Sequence, residues 1–400
     1  MSLAELKSKL ALKQTRVALR YKYYEGKYVI NDLSPLTPTQ YRTIHGKLGW
    51  CAKAVDTLAD RLNFDEFDDD TFMLNQIYNL NNRDVLINSA VLSALISSCS
   101  FIYISGDDTD YPRLQVIDGY NATGLIDPIT NLLIEGYAVL DRDKNTGAVI
   151  MDAYFTADET QIFEHGKLTQ TFKNPASYAL LVPIIYRPDA VRPFGHSRIS
   201  RAAIQLTNEA ERVLNRASIS ADFYSTPQKY VLGMDNDAEF NNRLATMSTF
   251  LRVDKDEDGN KPTVGQFSQQ SMSPHIEHLK SIAGAFAGET GLTLDDLGFS
   301  TSNPSSADAI KSAHENLRLS TRSAQASFGV GLLNAGYLAA CVRDEYSYER
   351  KAFYSTSPQW LPIFEPDVSQ IGTLGDAILK INQSIPDYLG TDDVRRLIGI

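Results

Sequence analysis

Asp254, Asp256 and Asp258 alternate with Lys255 and Glu257 in a run that continues into Gly259-Asn260, the way a calcium loop opens, with carboxylates at every second position and glycine at the sharp turn. The twelfth position, where such a loop closes on a bidentate acid, holds Gly265. Asp141-Arg-Asp-Lys-Asn145 opens in the same way, and its twelfth position, Asp152, falls inside a strand-like stretch. Both acidic runs therefore read as solvated hairpin turns. His275 and His278, with Glu277 between them, are spaced to share a metal on one helical turn, but no third His or Cys ligand stands nearby and both fall on the polar side. His196-Ser197 follows Gly195 but lacks the second glycine of a nucleophile elbow, so Ser197 reads as a helix N-cap. Gly46-Lys47, Gly166-Lys167 and Gly329-Val-Gly331 lack the remaining parts of a phosphate-cradling loop. The chain reads as no enzyme, with no cofactor. The rival from another class is a metal-binding enzyme built on 254–260 or on the two histidines.

The elements that carry these residues follow from periodicity. From Pro38, with Thr37 as N-cap, Tyr41, Ile44, Leu48, Val55, Leu58 and Leu62 predict one long amphipathic helix. A second helical tract is predicted from Phe72 to about Ser100. Between 101 and 186 the period changes to two, over 101–104, 132–140, 148–155, 161–163 and 167–172, with turns at 143–147 and 165–166, predicting an antiparallel meander. A helix is expected from Ser197 to about Tyr224, another over 237–251, and a third opening at Ser273-Pro274 and stopping at Gly291. The longest tract is predicted from Ser305-Ser306 to Val342, where Gly329, Gly331 and Gly336 either bend the helix or admit a close neighbour.

Of the 400 residues, 43% are hydrophobic and 22% charged, enough apolar material for a substantial core in two or three domains. Thirty-eight Lys and Arg against forty-nine Asp and Glu give a net charge of −11, which argues against a surface built to clamp phosphates. Cys51, Cys99 and Cys341 are odd in number and scattered, so free thiols are expected. The opening segment to Arg20 interleaves Lys and Arg with short apolar pieces and offers no signal-peptide core. The uncharged stretches 85–106 and 323–342 are long enough to span a bilayer, yet the first is rich in Ser and the second in Ala, Gly and Ser, so both read as buried helices and no membrane is expected.

Several segments, in this order, resemble the portal proteins of tailed bacteriophages, in the branch found in long-tailed phages. They are Ala54-Val-Asp-Thr-Leu-Ala-Asp-Arg-Leu62, Pro193-Phe-Gly-His-Ser-Arg-Ile199 with Asn208 and Asn215 following, Thr226-Pro-Gln-Lys-Tyr230, Leu294-Asp-Asp-Leu-Gly298 and Asn303-Pro-Ser-Ser-Ala-Asp-Ala-Ile310. The resemblance implies an α+β portal protomer in a ring of usually twelve copies at one capsid vertex. Genome packaging and ejection would pass through its channel. It places an N-terminal arm at 1–36, a wing of helices and meander at 37–235, stem helices at 236–251 and 273–290, a clip at 252–272, a tunnel loop at 291–305, a long wing helix at 306–345 and a crown within 346–400. Channel-facing residues would be Leu294, Asp295, Asp296, Phe299, Ser300, Thr301, Ser302 and Asn303. Asp254, Lys255, Asp256, Glu257 and Asp258 would sit on the clip, where terminase and the head–tail connector dock. The implied partners are further copies, the major capsid protein and scaffold, the terminase large subunit, the connector and non-specifically held double-stranded DNA, in the virion and, during assembly, in the host cytoplasm. Another ring-forming head–tail adaptor is the remaining alternative.

Overall fold

The computed structural model describes residues 2–30, 47–106, 111–225, 229–232, 263–266, 271–299, 311–364, 368–386, 388–391 and 394. Two compact units divide the chain: Met1–Tyr28 with Gly49–Ile204 and Glu289–Ile400, and Val29–Leu48 with Gln205–Gly288. Of the long helix predicted from Pro38, residues 38–46 lie outside the described residues, 47–49 are not helical and the helix begins at Trp50; the predicted helix over 237–251 and the start of the long helix, to 310, also lie outside the described residues.

The first unit begins with a helix, α1 (Leu3–Tyr24), where only an arm was expected. Ser2 and Glu5 cap it reciprocally: the Ser2 hydroxyl accepts from the Glu5 N–H at 3.4 Å and the Glu5 carboxylate accepts from the Ser2 N–H at 2.7 Å. Leu6, Leu10 and Val17 form its buried stripe, and Leu6 and Leu10 pack on Tyr137 and Val139. Next come α2 (Trp50–Ala59), β1 (Phe64–Asp68), α3 (Leu74–Leu80) and α4 (Arg83–Ser97). The tract predicted as one helix from Phe72 breaks at Asn82, whose φ of 54° lies in the left-handed region that Asn tolerates better than most residues.

The expected meander resolves into two sheets. β2 (Cys99–Ser105) lies between β3 (Arg113–Ile117) and β9 (Leu181–Ile185), so Phe101 faces Ile117 on one side and Pro183 on the other. Pro183, which cannot donate to a ladder, sits in an edge strand. β4 (Ala122–Ile126), β5 (Leu133–Arg142), β6 (Val149–Phe155), β7 (Glu159–Glu164) and β8 (Lys167–Lys173) pair in sequence order as a five-stranded antiparallel meander. The turn between β5 and β6 is the predicted acidic hairpin: Asp143 accepts from the N–H groups of Asn145 and Thr146 at 2.8 and 2.7 Å. Those bonds hold its carboxyl below the ordinary aspartate range.

α5 (Arg201–Ser225) leaves the first unit in its first turn. The strands β10 (Lys229–Leu232) and β11 (Thr263–Gln266) form a two-stranded antiparallel ribbon in the second unit, and α6 (Ser273–Thr290) returns the chain to the first. Gly291, at φ 69°, stops α6 as predicted. The long helix α7 (Glu315–Arg343) spans about 44 Å at 1.5 Å per residue. A turn at His314 separates it from the helical residues 311–313. β12 (Ser357–Trp360) pairs with β1, and α8 (Val368–Ser384) follows.

α7 is the core of the first unit, against β9, β12, α3 and β2. Its glycines serve close approach: a Cβ on Gly331 would stand 2.7 Å from Ile184 Cδ1 and 3.1 Å from the Pro183 carbonyl, and one on Gly329 would stand 2.7 Å from Pro358 Cγ. α7 is long and apolar enough to cross a membrane, but 67% of its most apolar window is buried inside the protein, as befits a core helix. Cys51, Cys99 and Cys341 are all buried, and no disulfide joins them.

Candidate channel loop and docking surfaces

The predicted tunnel loop begins as a folded turn. Thr293 and Asp296 cap each other: the Asp296 carboxylate accepts from the Thr293 N–H and hydroxyl, both at 2.9 Å, and the Thr293 hydroxyl accepts from the Asp296 N–H at 3.2 Å. The chain then makes one 3₁₀ turn over Asp295–Leu297 and leaves it at Gly298, whose φ of 87° suits glycine. The Phe299 N–H donates back to the Leu294 carbonyl at 3.0 Å. This turn lies against α2, and His314 Nδ1, just before α7, stands 3.7 Å from Asp296 Oδ2.

Those contacts hold the first part of the expected loop. Leu294, Asp296 and Phe299 are half-buried parts of the turn, and the Asp296 carboxylate is spent on capping; of the two acids, Asp295 alone is exposed. Local pairing of Thr293 with the acid three residues on organises this turn. Ser300, Thr301, Ser302 and Asn303 lie outside the described residues, as do Asp254, Lys255, Asp256, Glu257 and Asp258.

The run Pro193-Phe-Gly-His-Ser-Arg-Ile199 forms a junction within the first unit. Gly195 is fixed as glycine: its φ is 72°, and a Cβ there would overlap the Tyr186 carbonyl oxygen at 2.1 Å. His196 pairs with Asp189 (Nε2 to Oδ2, 2.5 Å), and Asp189 also accepts from the N–H groups of Val191 and Arg192. Ser197 does not cap α5, as the sequence suggested. Its hydroxyl donates to the Ile96 carbonyl at 2.6 Å, at the end of α4, and Ser200 caps α5 by accepting from the Ala203 N–H at 3.0 Å. Arg198, quoted in the sequence only as part of this run, is buried and donates through Nε to the Ala54 carbonyl at 3.2 Å and through its terminal nitrogen to the Thr290 carbonyl, joining α2 to the end of α6. Burial pushes its guanidinium pKa down. Nothing in local spacing marks an Arg for such a role.

In the second unit the ribbon pairs Lys229 with Gln266, Tyr230 with Gly265, Val231 with Val264 and Leu232 with Thr263, so 233–262 is the segment it closes off. The buried Glu211 of α5 accepts from the Leu48 N–H at 3.1 Å and stands 3.9 Å from Lys47 Nζ. His275 reaches the Ser220 hydroxyl at 3.3 Å, while His278 is exposed. Among the described residues no three His, Cys, Asp or Glu side chains converge as metal ligands. Ile276 of α6 is 60% exposed, and Ala283 and Phe286 make the buried face of that helix.

Residues 3–351 match the family model described as phage portal protein, SPP1 Gp6-like. The chain belongs to this portal family. The match takes in the whole of α1. Among curated proteins, the portal protein of Mycobacterium phage D29 is 24% identical over 332 residues, 77% of this chain and 67% of that protein. The portal protein of Mycobacterium phage L5 is 25% identical over 320 residues, 74% of this chain and 65% of that protein. This portal-family chain thus spans about two thirds of the length of both relatives. Among solved structures, a chain of the virion of a native gene transfer agent particle superposes with a TM-score of 0.50 at 13% identity, covering 96% of this chain and 93% of that one. That likeness is one of fold.

Proposed function

We propose that this portal-family chain closes into a ring of twelve copies at one vertex of a phage or phage-like head and surrounds the passage through which double-stranded DNA enters and leaves. The observation that carries the reading is the family match across residues 3–351. In this assignment 37–235 and the long helix at 306–345 are the wing, 236–251 and 273–290 are the stem, and 252–272 is the clip, bearing Asp254, Asp256 and Asp258 where terminase and the head–tail connector dock. The crown is α8, and the wing meets the capsid protein and scaffold. The mature ring belongs to the virion, after assembly in the host cytoplasm.

A conduit through which DNA slides should not hold phosphates, and a net charge of −11 on every copy supplies repulsion as the default. The passage would be touched by the loop 291–305, of which 300–305 follows the capped turn. Deleting 300–305 is expected to leave ring assembly intact and to lower the DNA content of particles. Loss of assembly on this deletion, with the turn preserved, would contradict the placement.

A further inference from the structure

We infer that α1 and the turn after β9 form a pocket that binds an acidic peptide segment of a partner protein. The inference stands on the first unit alone and holds whether or not the chain closes into a ring.

Lys9, Lys13, Arg16 and Arg20 recur on α1 at spacings of four, three and four, which places them along one face of the helix. Arg192 faces them from the turn after β9, and together with Phe194 these residues line a cavity of about 370 Å³. Five cations thus converge on one concavity in a chain whose net charge is negative. Among the described residues none of the five is paired with a carboxylate. Lys9 donates to the Gly124 carbonyl at 2.7 Å, Arg20 to the Ser97 carbonyl at 2.8 Å, and Arg192 meets His196 Nδ1 at 3.3 Å. The nearby acids are already engaged. Asp118 accepts from Asn121 Nδ2 at 2.8 Å and the Tyr120 N–H at 3.3 Å, and Asp189 is held by His196 and by two backbone N–H groups.

Burial pushes the ammonium groups of Lys9 and Lys13 down, and burial together with the neighbouring Arg16, Arg192 and Arg201 takes Arg20 down to about 10. Charges that are partly desolvated and crowded by like charges are relieved when an anion arrives.

Two observations select carboxylates on a polypeptide over a nucleic-acid strand. The Phe194 ring, the aromatic surface of the cavity, is already occupied by Lys9 Nζ at 5.2 Å, Lys13 Nζ at 5.9 Å and the Phe101 ring at 6.0 Å, which leaves no platform for a base to stack on. The rim offers apolar surface instead: Leu12 lies between the cations and is 80% exposed. Acidic residues alternating with an aliphatic one match that lining.

The test is fluorescence anisotropy of the full chain with a fluorescein-labelled hexapeptide of alternating Glu and Leu at low salt. A Gln-for-Glu hexapeptide and decathymidylate serve as competing probes. Saturable binding of the acidic peptide is expected, at least tenfold tighter than its Gln counterpart. It should weaken at least tenfold in the double variant Arg16→Gln, Arg192→Gln, which removes two exposed cations and no core packing. An unchanged melting temperature of that variant identifies the loss as local. No binding of the acidic peptide, equal binding of the Gln peptide, an unaffected variant, or tighter binding of decathymidylate lost in the same variant would each overturn the inference.

Discussion

Two long helices of the first unit, α7 and α1, are held in opposite ways. Every residue of α7 from Asn334 to Cys341 is buried, and Gly331 lets β9 lie directly on the helix. α1 buries Leu6, Leu10, Val17 and Tyr23 and is otherwise tied by single polar contacts. Lys7 reaches the buried Asp152 at 2.7 Å, Lys9 reaches Gly124 and Gln14 reaches Tyr120. Tyr137 also donates to Asp152, at 3.0 Å, and burial with that carboxylate pushes its phenol up. A helix held by close packing tolerates almost no change of volume. One held by point contacts can exchange them, and it retains cations for other partners.

The largest effect should come from the packed helix. Gly331→Leu drives a side chain into Ile184 and the Pro183 carbonyl and is expected to cost about 3 kcal/mol or more by urea unfolding; a variant as stable as the parent would break the contrast. Asp152→Ala leaves the Tyr137 hydroxyl and Lys7 without their acceptor and should cost about 2 kcal/mol, with faster protease cleavage within α1. Ser2→Ala removes a cap worth about 1 kcal/mol and should speed amide exchange in the first turn of α1 alone. A shift of the whole unfolding transition would mean that α1 is as cooperative as α7. The smallest effect is acidic. Asp344, after the end of α7, is held below the ordinary aspartate range by Arg343 first and by Tyr348. Its contribution is therefore present at neutral pH and is lost as pH falls through its lowered folded value. The Asp344→Asn variant should be less stable than the parent near neutrality and converge with it in acid.

What was legible in the sequence was local. Ser273-Pro274 and Gly291 bracket α6, and the alternating residues of 132–172 form the meander. Ser2 and Glu5, with Leu3, Leu6 and Leu10 at helical spacing, would have marked α1; the interleaved Lys and Arg obscured them, because polar contacts as well as the apolar stripe hold that helix. β2 pairs with a strand some eighty residues later, a choice made by two apolar strands meeting and invisible to periodicity. Ser197 looked like a cap because a helix follows, yet a carbonyl at the end of α4 claims its hydroxyl. The portal motifs were legible as an ordered set, whereas the use of Asp296 within its own turn depends on Thr293 and on the seat against α2.

The central claim, that this chain builds the ring of a portal, is tested most directly by native mass measurement together with electron-microscopic imaging of the purified protein. A closed ring of about twelve copies with an axial hole is the expected result. A two-fold dimer without a hole would contradict it.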